Sequence, residues 1–574
     1  MTESPGRSPT ASNRSPEVAY FTMEIGLTSE LPTYSGGLGV LAGDTARGAA
    51  DLGLPFVVVS LVHRAGYFRQ TLDDAGRQHE EPASWRPEEY LRPLEARVQV
   101  ELEGRTVNLR AWEYRLEGHG GAHVPVYLLD SDLEENAEDD RRITDLLYGG
   151  DRRLRLQQEV VLGVGGVRLL RALGFDDVRT FHMNEGHSSL LTLELMREGG
   201  GRSGLGTEAL EAMVAKVTRR CVFTTHTPVP AGHDRFGVEL MREVLGPEGA
   251  ALLGELGLVE DDEVNMTHVA LRFSRFTNGV ALRHARLSRE MFPGHVIHAI
   301  TNGVHAETWT GEPIRRLFDR RIPGWREDPF LLRHAVALPL DELRRAHDEA
   351  RAALLDDVER RTGRRLDPDR LTVAFARRAT PYKRADLLPA EPQRLLEVAR
   401  RAGPFQLIYA GKAHPQDERG QAMIRRVVEA ADTLGEEVPL VYLEDYDMEL
   451  GALLTAGSDL WLNQPRKPLE ASGTSGMKAA LNGVPCLSIL DGWWIEGHVE
   501  GVTGWAIDEE WQDPVDDDLE RDRALAKLED AILPLFHGDP DGWARVMRSA
   551  IALNGSHFHV RRMVQEYVDR AYAS

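Results

Sequence analysis

Short apolar runs alternate with helical stretches through the second half of this chain, and the alternation limits the possible folds more than any other feature. Each run has the length of a buried strand, and the segments between the runs are long enough to form helices. The strand-like runs are 371–376, 405–411, 439–445, 458–464 and 485–490, and the helical stretches extend to about 402 and over 417–434 and 447–456. Strands separated by such helices predict right-handed crossovers and a parallel sheet.

The first half repeats this pattern with one interruption. Its strand-like runs are 18–24, 56–62, 124–130, 178–184 and 221–226. Residues 97–117 alternate between apolar and polar side chains, which predicts an antiparallel hairpin inserted in this half. We therefore expect an α/β fold with two Rossmann-like domains. Ligands of such domains bind at the carboxyl ends of the strands, here in the cleft where the two domains face each other.

A polar, proline-broken stretch at 305–335 indicates where the two halves join. Residues 1–16 are rich in proline and serine, and we expect a disordered tail there. The predicted N-terminal domain with its inserted hairpin is 17–320, and the predicted C-terminal domain is 321–515. Helices at 516–574 are expected to pack back on the N-terminal domain.

Charge and cysteine content exclude several classes of protein. The 574 residues include 68 basic and 91 acidic side chains, so the net charge is −23. This charge argues against a nucleic acid or an anionic membrane as the partner. The two cysteines, Cys221 and Cys486, lie in apolar runs and indicate buried thiols in a reducing compartment. We see no signal peptide and no apolar run long enough to cross a membrane, and we expect a cytoplasmic protein.

The sequence EASGTSGMKAALNG, residues 470–483, is the most informative local motif. A strand-like segment, a turn of small residues and the start of a helix place free N–H groups around an anion. Lys478 lies on the first turns of that helix, where burial would allow it to bind a carbonyl group as a Schiff base. Taken alone, an ordinary strand-to-helix turn with a surface lysine explains the motif equally well.

Other polar motifs follow predicted strands of the first half. The glycine-rich GGLG segment, with Gly36, Gly37 and Gly39, precedes a helix and fits dinucleotide binding as well as phosphate binding. HMNEGH (182–187) invites a zinc interpretation, but its spacing matches no recognised ligand set, so a hydrogen-bonded polar loop is favoured. THTPVP begins at Thr225 and places His226 at the end of a strand. No serine nucleophile motif of the G-x-S-x-G type is present.

A cluster of cations follows the first strand of the second half. ARRATPYKR (376–384) places Arg377, Arg378, Lys383 and Arg384 at what we expect to be a helix start. Cations at a helix start are repelled by the positive end of the helix dipole. Their presence indicates a bound anion that interacts favourably with the cations and with the helix N-terminus. ITNGVHAETW (300–309) adds Asn302 and His305 near the predicted domain junction, where a simple Asn-Gly turn is the alternative interpretation.

These motifs together resemble the α-glucan phosphorylases of the glycogen and maltodextrin phosphorylase family, in a short form. The resemblance covers about residues 18–500 and includes GGLG, HMNEGH, THTPVP, VALRHA, TNGVHAETW, RRATPYKR, LEDYD and EASGTSGMK in order. It implies a glycosyltransferase-B type fold and an enzyme that transfers a terminal glucosyl unit to inorganic phosphate with retention, giving glucose 1-phosphate. It also implies pyridoxal 5′-phosphate bound covalently to Lys478.

The resemblance assigns a role to each matching residue. The implied catalytic residues are Arg377, Arg378, Lys383, His226 and Glu470, and no metal is implied. The implied cofactor-binding residues are Lys478, Tyr446, Thr474, Ser475, Gly37 and Arg377. The implied substrate-binding residues are Gly36, Gly37, Leu38, Asn302, Glu185, His187, Ser472 and Gly473. Phosphorolysis brings two phosphate groups close together, so cations and aligned N–H groups are required.

Several departures from the family pattern leave alternatives open. The phosphate clamp reads Arg377-Arg378 where the family has Lys-Arg, and Glu185 replaces an aspartate. The cationic motif alone also fits a nucleotide-sugar-dependent glycosyltransferase on the same fold, which would not need pyridoxal phosphate. A glucan-binding protein without turnover is a further alternative. We expect no regulation by AMP or phosphorylation, while the natural glucan and a homo-oligomeric state stay open.

Overall fold

The computed structural model describes residues 15–229, 232–509 and 516–573. The fold is mixed α/β with large, mostly parallel sheets. The predicted tail lies outside the described residues apart from Ser15 and Pro16. In the parts of the chain that the structure describes, no helix is both long enough and apolar enough to span a bilayer.

The strands of the described residues run from the first half into the second. In chain order they are β1 (Val18–Phe21), β2 (Phe56–Leu61), β3 (Arg69–Leu72), β4 (Gln78–Glu81), β5 (Arg92–Leu102), β6 (Arg105–Glu117), β7 (His123–Asp130), β8 (Thr180–Asn184), β9 (Cys221–Thr224), β10 (Arg235–Gly237), β11 (Val259–Glu260), β12 (Glu263–Asn265), β13 (Phe276–Gly279), β14 (Ile297–Ala299), β15 (Leu371–Ala376), β16 (Phe405–Ala410), β17 (Leu440–Leu443), β18 (Leu460–Asn463), β19 (Cys486–Ser488) and β20 (Gly504–Ala506).

The α-helices fill the segments between strands and most of the C-terminal end. They are α1 (Gly37–Asp51), α2 (Pro87–Tyr90), α3 (Glu138–Arg141), α4 (Arg152–Val160), α5 (Gly166–Ala172), α6 (Leu191–Glu198), α7 (Thr207–Thr218), α8 (Val238–Glu255), α9 (Met266–Arg272), α10 (Leu282–Met291), α11 (Ala306–Trp309), α12 (Glu312–Arg321), α13 (Leu340–Thr362), α14 (Pro392–Ala402), α15 (Glu418–Leu434), α16 (Met448–Gly457), α17 (Ser475–Leu481), α18 (Trp494–Gly497), α19 (Asp517–Lys527), α20 (Leu533–Gly538), α21 (Pro540–Ser549) and α22 (Val560–Tyr567). Helix α8 is kinked at Gly246, which has non-helical backbone angles.

The first large sheet has the strand order β14-β13-β9-β8-β1-β2-β7-β6-β5. Its strands are parallel from β14 to β7, and in the central pair Val18 lies opposite Phe56. The antiparallel strands β5 and β6 extend this sheet and occupy the region of the predicted hairpin, with a register shift between Pro93 and Arg97. Strands β13 and β14, which were not predicted, complete the opposite edge.

The second large sheet has the order β17-β16-β15-β18-β19-β20 and is parallel throughout. Its first strand along the chain, β15, lies at the centre, and all six residues of β15 are buried. Because β15 and β18 are neighbours in the sheet, the segments that follow both strands lie at the same edge of the sheet. These segments are ARRATPYKR and EASGTSGMK.

One expectation about the second half is wrong. The segment after β15 was predicted to be helical to about residue 402, but residues 377–391 form turns and helix α14 begins only at Pro392. Pro381 and Pro389 interrupt this segment, and Arg384 has a positive φ of 52°. The cations of ARRATPYKR therefore lie on an irregular loop and not at a helix N-terminus.

The C-terminal helix α22 packs on the first sheet through its apolar face. Val560, Met563 and Val564 share a buried cluster with Leu41 of α1. Val560 also lies close to Gly48, where a methyl group would come within 2.9 Å of its side chain. Burial of several aliphatic side chains in this cluster stabilises the position of the C-terminal end on the first half of the chain.

Helix α1 is held against the loop after β1 at a glycine. A methyl group at Gly43 would lie 1.9 Å from the carbonyl oxygen of Gly26. We expect Gly43→Ala to lower the free energy of unfolding by about 1–3 kcal/mol or more, because helix and loop must separate. Thermal unfolding followed by circular dichroism checks this. Gly120→Ala is the matched control, since Gly120 is exposed and has open space around it; equal stability of both variants would contradict the packing described.

Candidate functional site

A cavity of about 900 Å³ lies where segments of both halves of the chain meet. All of the site residues predicted from the sequence line it. They are Gly36, Gly37, Leu38, Glu185, His187, His226, Asn302, Arg377, Arg378, Lys383, Tyr446, Glu470, Ser472, Gly473, Thr474, Ser475 and Lys478. The cavity brings the predicted residues together. Their individual roles are proposals.

The parallel sheets explain why distant residues converge here. Glu185 and His187 follow β8, His226 follows β9 and Arg377 follows β15. Lys478 lies on α17, which follows β18. Because the carboxyl ends of parallel strands share one edge of a sheet, these segments line one cavity.

Two cations share one carboxylate oxygen in the cavity wall. Arg377 Nη2 lies 2.7 Å from Glu470 Oε2, and Lys383 Nζ lies 2.6 Å from the same atom. All three side chains are at most 9% exposed. Burial alone would raise the pKa of Glu470, but the charges and hydrogen bonds of the two cations lower it to about 2. Glu470 is therefore an anion at neutral pH and cannot serve there as a proton donor.

Arg378 differs from its neighbour because its charge is uncompensated. Across the described residues, its guanidinium group has no hydrogen bond or ion pair. The Arg378 side chain is solvent-accessible because it projects into the cavity. Protein groups lie around it, since Tyr67, Tyr382 and Glu24 are close enough to affect its pKa. A cation enclosed in this way provides a binding site for an anion from solution.

The backbone of Glu470 is fixed by a second buried carboxylate. Asp491 Oδ2 accepts a hydrogen bond from the Glu470 backbone N–H at 2.9 Å, and Oδ1 accepts one from the Gly492 N–H at 3.0 Å. Burial raises the pKa of Asp491 to about 6, although these hydrogen bonds and the Arg283 charge oppose the increase. The position of Glu470 therefore depends on a residue that sequence reasoning did not select.

The glycine-rich segment contributes a helix N-terminus to the cavity. Helix α1 begins at Gly37, without a side-chain cap at Gly36 and without an acidic residue in its first turn. A methyl group at Gly36 or Gly37 would meet no atom of the described residues within 4 Å, so this part of the backbone borders open space among them. Glu24 Oε2 accepts hydrogen bonds from the Ser35 N–H at 2.7 Å and the Gly36 N–H at 3.4 Å, which orients the turn. The remaining N–H groups of the first turn suit an anion.

Lys478 lies in the wall of the cavity with an aromatic ring beneath it. Its Nζ is 3.4 Å from the centroid of the Trp309 ring, and the residue is 7% exposed. Burial lowers the pKa of Lys478 to about 8, an effect that Asp44 opposes and Arg47 reinforces. At neutral pH a lysine with this pKa has a much larger neutral fraction than an ordinary lysine, and the neutral amine is the form that attacks a carbonyl group.

Polar groups of the first half form the opposite wall. Glu185 Oε2 accepts hydrogen bonds from the His226 backbone N–H at 2.7 Å and the Thr227 hydroxyl at 3.0 Å. His226 Nε2 lies 2.6 Å from Asn184 Oδ1, and burial lowers its pKa to about 3, so His226 is neutral. Asn302 Oδ1 is buried without a hydrogen-bond partner among the described residues. This wall thus presents the neutral side chains of His226 and Asn302 beside the Glu185 carboxyl group, and such donors and acceptors can bind sugar hydroxyl groups.

The turn before Lys478 is shaped by its backbone. Gly473 has a φ of +76°, which favours glycine, and Ser472 O accepts the Trp493 N–H at 2.9 Å. The Ser475 hydroxyl accepts a hydrogen bond from Trp461 Nε1 at 3.0 Å, so one of its lone pairs is already used. Thr474 provides no side-chain cap for α17. The turn therefore offers mainly backbone groups to a ligand.

Two histidines that the sequence motifs included do not line the cavity. His182 Nδ1 and Nε2 bind the Tyr572 and Thr224 hydroxyls, both at 2.8 Å. His305 Nε2 lies 2.8 Å from Oδ2 of Asp51, the last residue of α1. His187, which does line the cavity, accepts the Met23 N–H at 3.0 Å. The histidines of HMNEGH thus serve separate hydrogen bonds, as expected for a polar loop.

Sequence reasoning missed much of the cavity wall. The additional residues with polar or aromatic side chains include Glu24, Tyr34, Tyr67, Tyr148, Asp151, Arg152, Arg155, Asp234, Trp309, Tyr382, Lys412 and His414. A signal was present for Lys412 and His414, which follow the predicted strand 405–411. Glu24 likewise ends the predicted strand 18–24.

Comparison with known proteins identifies the family. The sequence profile described as carbohydrate phosphorylase matches residues 246–502. A maltodextrin phosphorylase of Thermococcus litoralis is 38% identical over 97% of this chain and 70% of its own length. A glycogen phosphorylase of Mycobacterium tuberculosis is 39% identical, with the same coverage of both chains. A glycogen phosphorylase of Aquifex aeolicus is 33% identical over 97% of this chain and 86% of its own length.

The chain belongs to the carbohydrate phosphorylase family. The family predicted from the sequence motifs is thereby confirmed. The profile match ends after EASGTSGMK, so it includes Glu470 and Lys478 as well as the cations of ARRATPYKR. GGLG and HMNEGH lie before the matched segment, but the three relatives cover them because each aligns with 97% of the chain.

The shared carboxylate generates a prediction for the carbohydrate phosphorylase site. Glu470→Gln removes the charge that compensates Arg377 and Lys383, so we expect the free energy of unfolding without phosphate to fall by roughly 3–5 kcal/mol. Inorganic phosphate should then stabilise the variant more than the wild type, because the freed cations bind it. Thermal unfolding across a phosphate titration measures both effects.

Glu500→Gln is the matched control for Glu470→Gln. Glu500 pairs with Lys527 and His498, and none of the three lines the cavity. Phosphate should stabilise this variant as it stabilises the wild type. If phosphate stabilised wild type and Glu470→Gln equally against thermal unfolding, the result would contradict the view that the Glu470 carboxylate occupies the place where Arg377 and Lys383 can bind an anion.

Proposed function

We propose that this carbohydrate phosphorylase is an α-1,4-glucan phosphorylase, which transfers the terminal glucosyl unit of a glucan to inorganic phosphate with retention and releases glucose 1-phosphate. Relatives named maltodextrin phosphorylase and glycogen phosphorylase support the choice of glucan. The observation that carries the proposal is one cavity that contains an uncompensated Arg378, a second cation at Lys383 and a buried lysine at Lys478.

The residues of the cavity fit pyridoxal 5′-phosphate. Lys478 is buried, has a lowered pKa and has no carboxylate partner within ion-pair distance among the described residues. The Gly36–Gly37 turn leaves open space that a side chain would fill, and Arg377 and Tyr446 line the same cavity. We propose that Lys478 holds the cofactor covalently, with Tyr446, Thr474, Ser475, Gly37 and Arg377 around it. When bound, the cofactor would supply a phosphate group for acid–base chemistry beside the substrate phosphate.

In this proposal Arg378 and Lys383 bind inorganic phosphate. Arg378 can donate two parallel hydrogen bonds to phosphate oxygens, and no carboxylate of the described residues forms an ion pair with it, although Glu24 acts on its charge from a longer distance. Lys383 lies 4.6 Å above the Tyr382 ring, which limits the directions in which its ammonium group points. The N–H groups at the start of α1 complete the cradle. Cations and dipoles already in place stabilise the charge that develops in the transition state.

The glucosyl unit is proposed to lie against the wall that residues of the first half of the chain form. Glu470, Asn302 and His226 would bind its hydroxyl groups, with Ser472, Gly473 and Leu38 in contact. Glu185 and His187 would orient this wall from the first half of the chain. Because Glu470 is held as an anion with a pKa of about 2, it positions the sugar and does not protonate the leaving oxygen. Phosphate attack on the face from which the glucan leaves accounts for retention without the carboxylate pair of a hydrolase.

The finer architecture is also a proposal. We propose two Rossmann-like domains, 17–320 and 321–515, that face each other across the cavity as in the glycosyltransferase-B type fold. The helices at 516–574 then return to the first domain, as the contacts of α22 support. A cytoplasmic location is supported by Cys221 and Cys486, which are both buried and unpaired. No observation favours the nucleotide-sugar alternative, which would not require a carbonyl cofactor on Lys478.

We expect Lys478→Ala to lose the cofactor and nearly all phosphorolysis. The reason is that the other lysines lining the cavity in the described residues, Lys383 and Lys412, pair with Glu470 and Asp445, whereas Lys478 has no carboxylate partner there. The test is absorbance of the purified protein before and after borohydride reduction, followed by peptide mapping. Lys216→Ala, on the exposed surface of α7, is the control and should retain both cofactor and activity. A pyridoxyl group mapped to a different lysine would contradict the proposal.

Arg378→Ala and Lys383→Ala should weaken the use of phosphate far more than the use of maltodextrin. Each loss of a charged donor should cost on the order of 2–4 kcal/mol of transition-state stabilisation. Initial rates measured while phosphate and maltodextrin are varied separately check this. Arg419→Ala is the control, because Arg419 lies outside the cavity. An unchanged response to phosphate in both variants would exclude the proposed phosphate site.

A further inference from the structure

Asp44 is a buried carboxylate beneath the cavity that the proposed mechanism does not use. It lies on α1, eight residues after the glycine-rich N-cap, and is 1% exposed. Its Oδ2 accepts a hydrogen bond from Trp309 Nε1 at 2.8 Å. Its Oδ1 has no hydrogen-bond partner among the described residues, although Arg47 Nη1 lies 3.7 Å away. A buried carboxylate with one oxygen that accepts no hydrogen bond is costly, and the ion pair with Arg47 offsets that cost only in part.

Trp309 connects Asp44 with the lysine of the site. The indole N–H is bound to Asp44, and the ring lies 3.4 Å beneath Lys478 Nζ. The other end of Trp309 is also fixed, because Asn482 Nδ2 donates to the Trp309 carbonyl at 2.8 Å and to the Lys478 carbonyl at 3.0 Å. The backbones of Trp309 and Lys478 are thus joined through one amide, and the orientation of the ring depends on Asp44.

We propose that Asp44 is a positioning residue for Lys478: it holds the Trp309 ring flat beneath the amino group and keeps a negative charge behind that ring. Lys478 then faces the cavity in one orientation before any cofactor arrives. The ring face attracts the ammonium form, and Asp44 reinforces that attraction. The charged groups of α1 that act on Lys478 are Asp44 and Arg47, with opposite effects.

The consequence for cofactor capture rests on the proposed function. Capture of pyridoxal phosphate forms a carbon–nitrogen double bond between the Lys478 nitrogen and the aldehyde carbon. Both hydrogens of the neutral amine leave with the aldehyde oxygen as one molecule of water, and no oxidant or reductant is required. The step needs the neutral amine in a fixed direction, so Asp44 has two separable effects. Its charge raises the fraction of ammonium, and its hydrogen bond to Trp309 fixes the direction.

Two substitutions separate these effects. Asp44→Asn keeps an oxygen acceptor for Trp309 Nε1 and removes the charge, while Asp44→Ala removes both. In full-length protein without cofactor, labelling of Lys478 by acetic anhydride against pH, read by peptide mass spectrometry, gives the pKa of the amine. We expect Asp44→Asn to lower this pKa by about one unit, because an opposite charge is lost. Uptake of added pyridoxal phosphate should then reach its maximal rate at lower pH, with that rate little changed.

Asp44→Ala should slow the maximal uptake by about tenfold to a hundredfold, because the ring and the amine lose their orientation. Asp319→Asn is the matched control: Asp319 Oδ1 also accepts a tryptophan N–H at 2.8 Å, from Trp325, but neither residue lines the cavity. Its labelling profile and uptake rate should equal those of the wild type. Circular dichroism establishes that each variant is folded, and the Asn variant gives a result even where the Ala variant does not fold.

The proposal is overturned if the Lys478 labelling profile of Asp44→Asn superimposes on that of the wild type. It is also overturned if folded Asp44→Ala takes up pyridoxal phosphate at the wild-type rate. Failure of the proposed function gives a different result: wild-type protein would not attach pyridoxal phosphate at Lys478 at any pH. The labelling experiment would still decide the role of Asp44, because acetic anhydride reacts with the amine whether or not the cofactor binds.

Discussion

The sharing of one Glu470 oxygen by Arg377 and Lys383 is the interaction on which the site depends. Two cations and one anion leave a net positive charge inside a cavity, and Arg378 adds another without a partner. A positive charge enclosed by protein lowers the stability of the fold unless an anion lies beside it. That anion is either a carboxylate of the protein or an anion bound from solution. The protein as a whole carries a charge of −23, yet in the described residues Glu470 is the carboxylate that pairs with both Arg377 and Lys383, and none pairs with Arg378. A site of this kind suits a reaction in which phosphate enters and leaves.

The sheets make this concentration of charge possible. Strands β15 and β18 are buried neighbours, so the loops after them begin side by side at one edge of the second sheet. The glycine-rich start of α1 brings unpaired N–H groups from the first half to the same cavity. Glu470 is fixed through its backbone by Asp491, and the two carboxylates differ in pKa, about 2 and about 6, because only Glu470 contacts two cations. Local sequence motifs provide the groups, and the parallel sheets set their distances.

The sequence predicted the residues of the site better than it predicted their geometry. The α/β pattern, the principal strands and the predicted lining residues were accessible because periodic apolar runs and short motifs are local features. The prediction of a helix directly after β15 was wrong. Two prolines interrupt residues 377–391, which form turns that line the cavity. The short strands β13, β14 and β20 were missed because three or four residues show no clear periodicity. Trp309, Asp44 and Asp491 could not be selected, since their roles arise from contacts between segments far apart in the chain.

The central claim is that this chain uses phosphate, and not water or a nucleotide sugar, to exchange the terminal glucosyl unit. Phosphorus-31 and proton NMR of purified protein incubated with maltodextrin and inorganic phosphate test it most directly. The account predicts that α-glucose 1-phosphate accumulates as phosphate is consumed, and that no glucosyl product forms without phosphate. Release of free glucose, formation of the β-anomer, or turnover that requires a nucleotide sugar would contradict it.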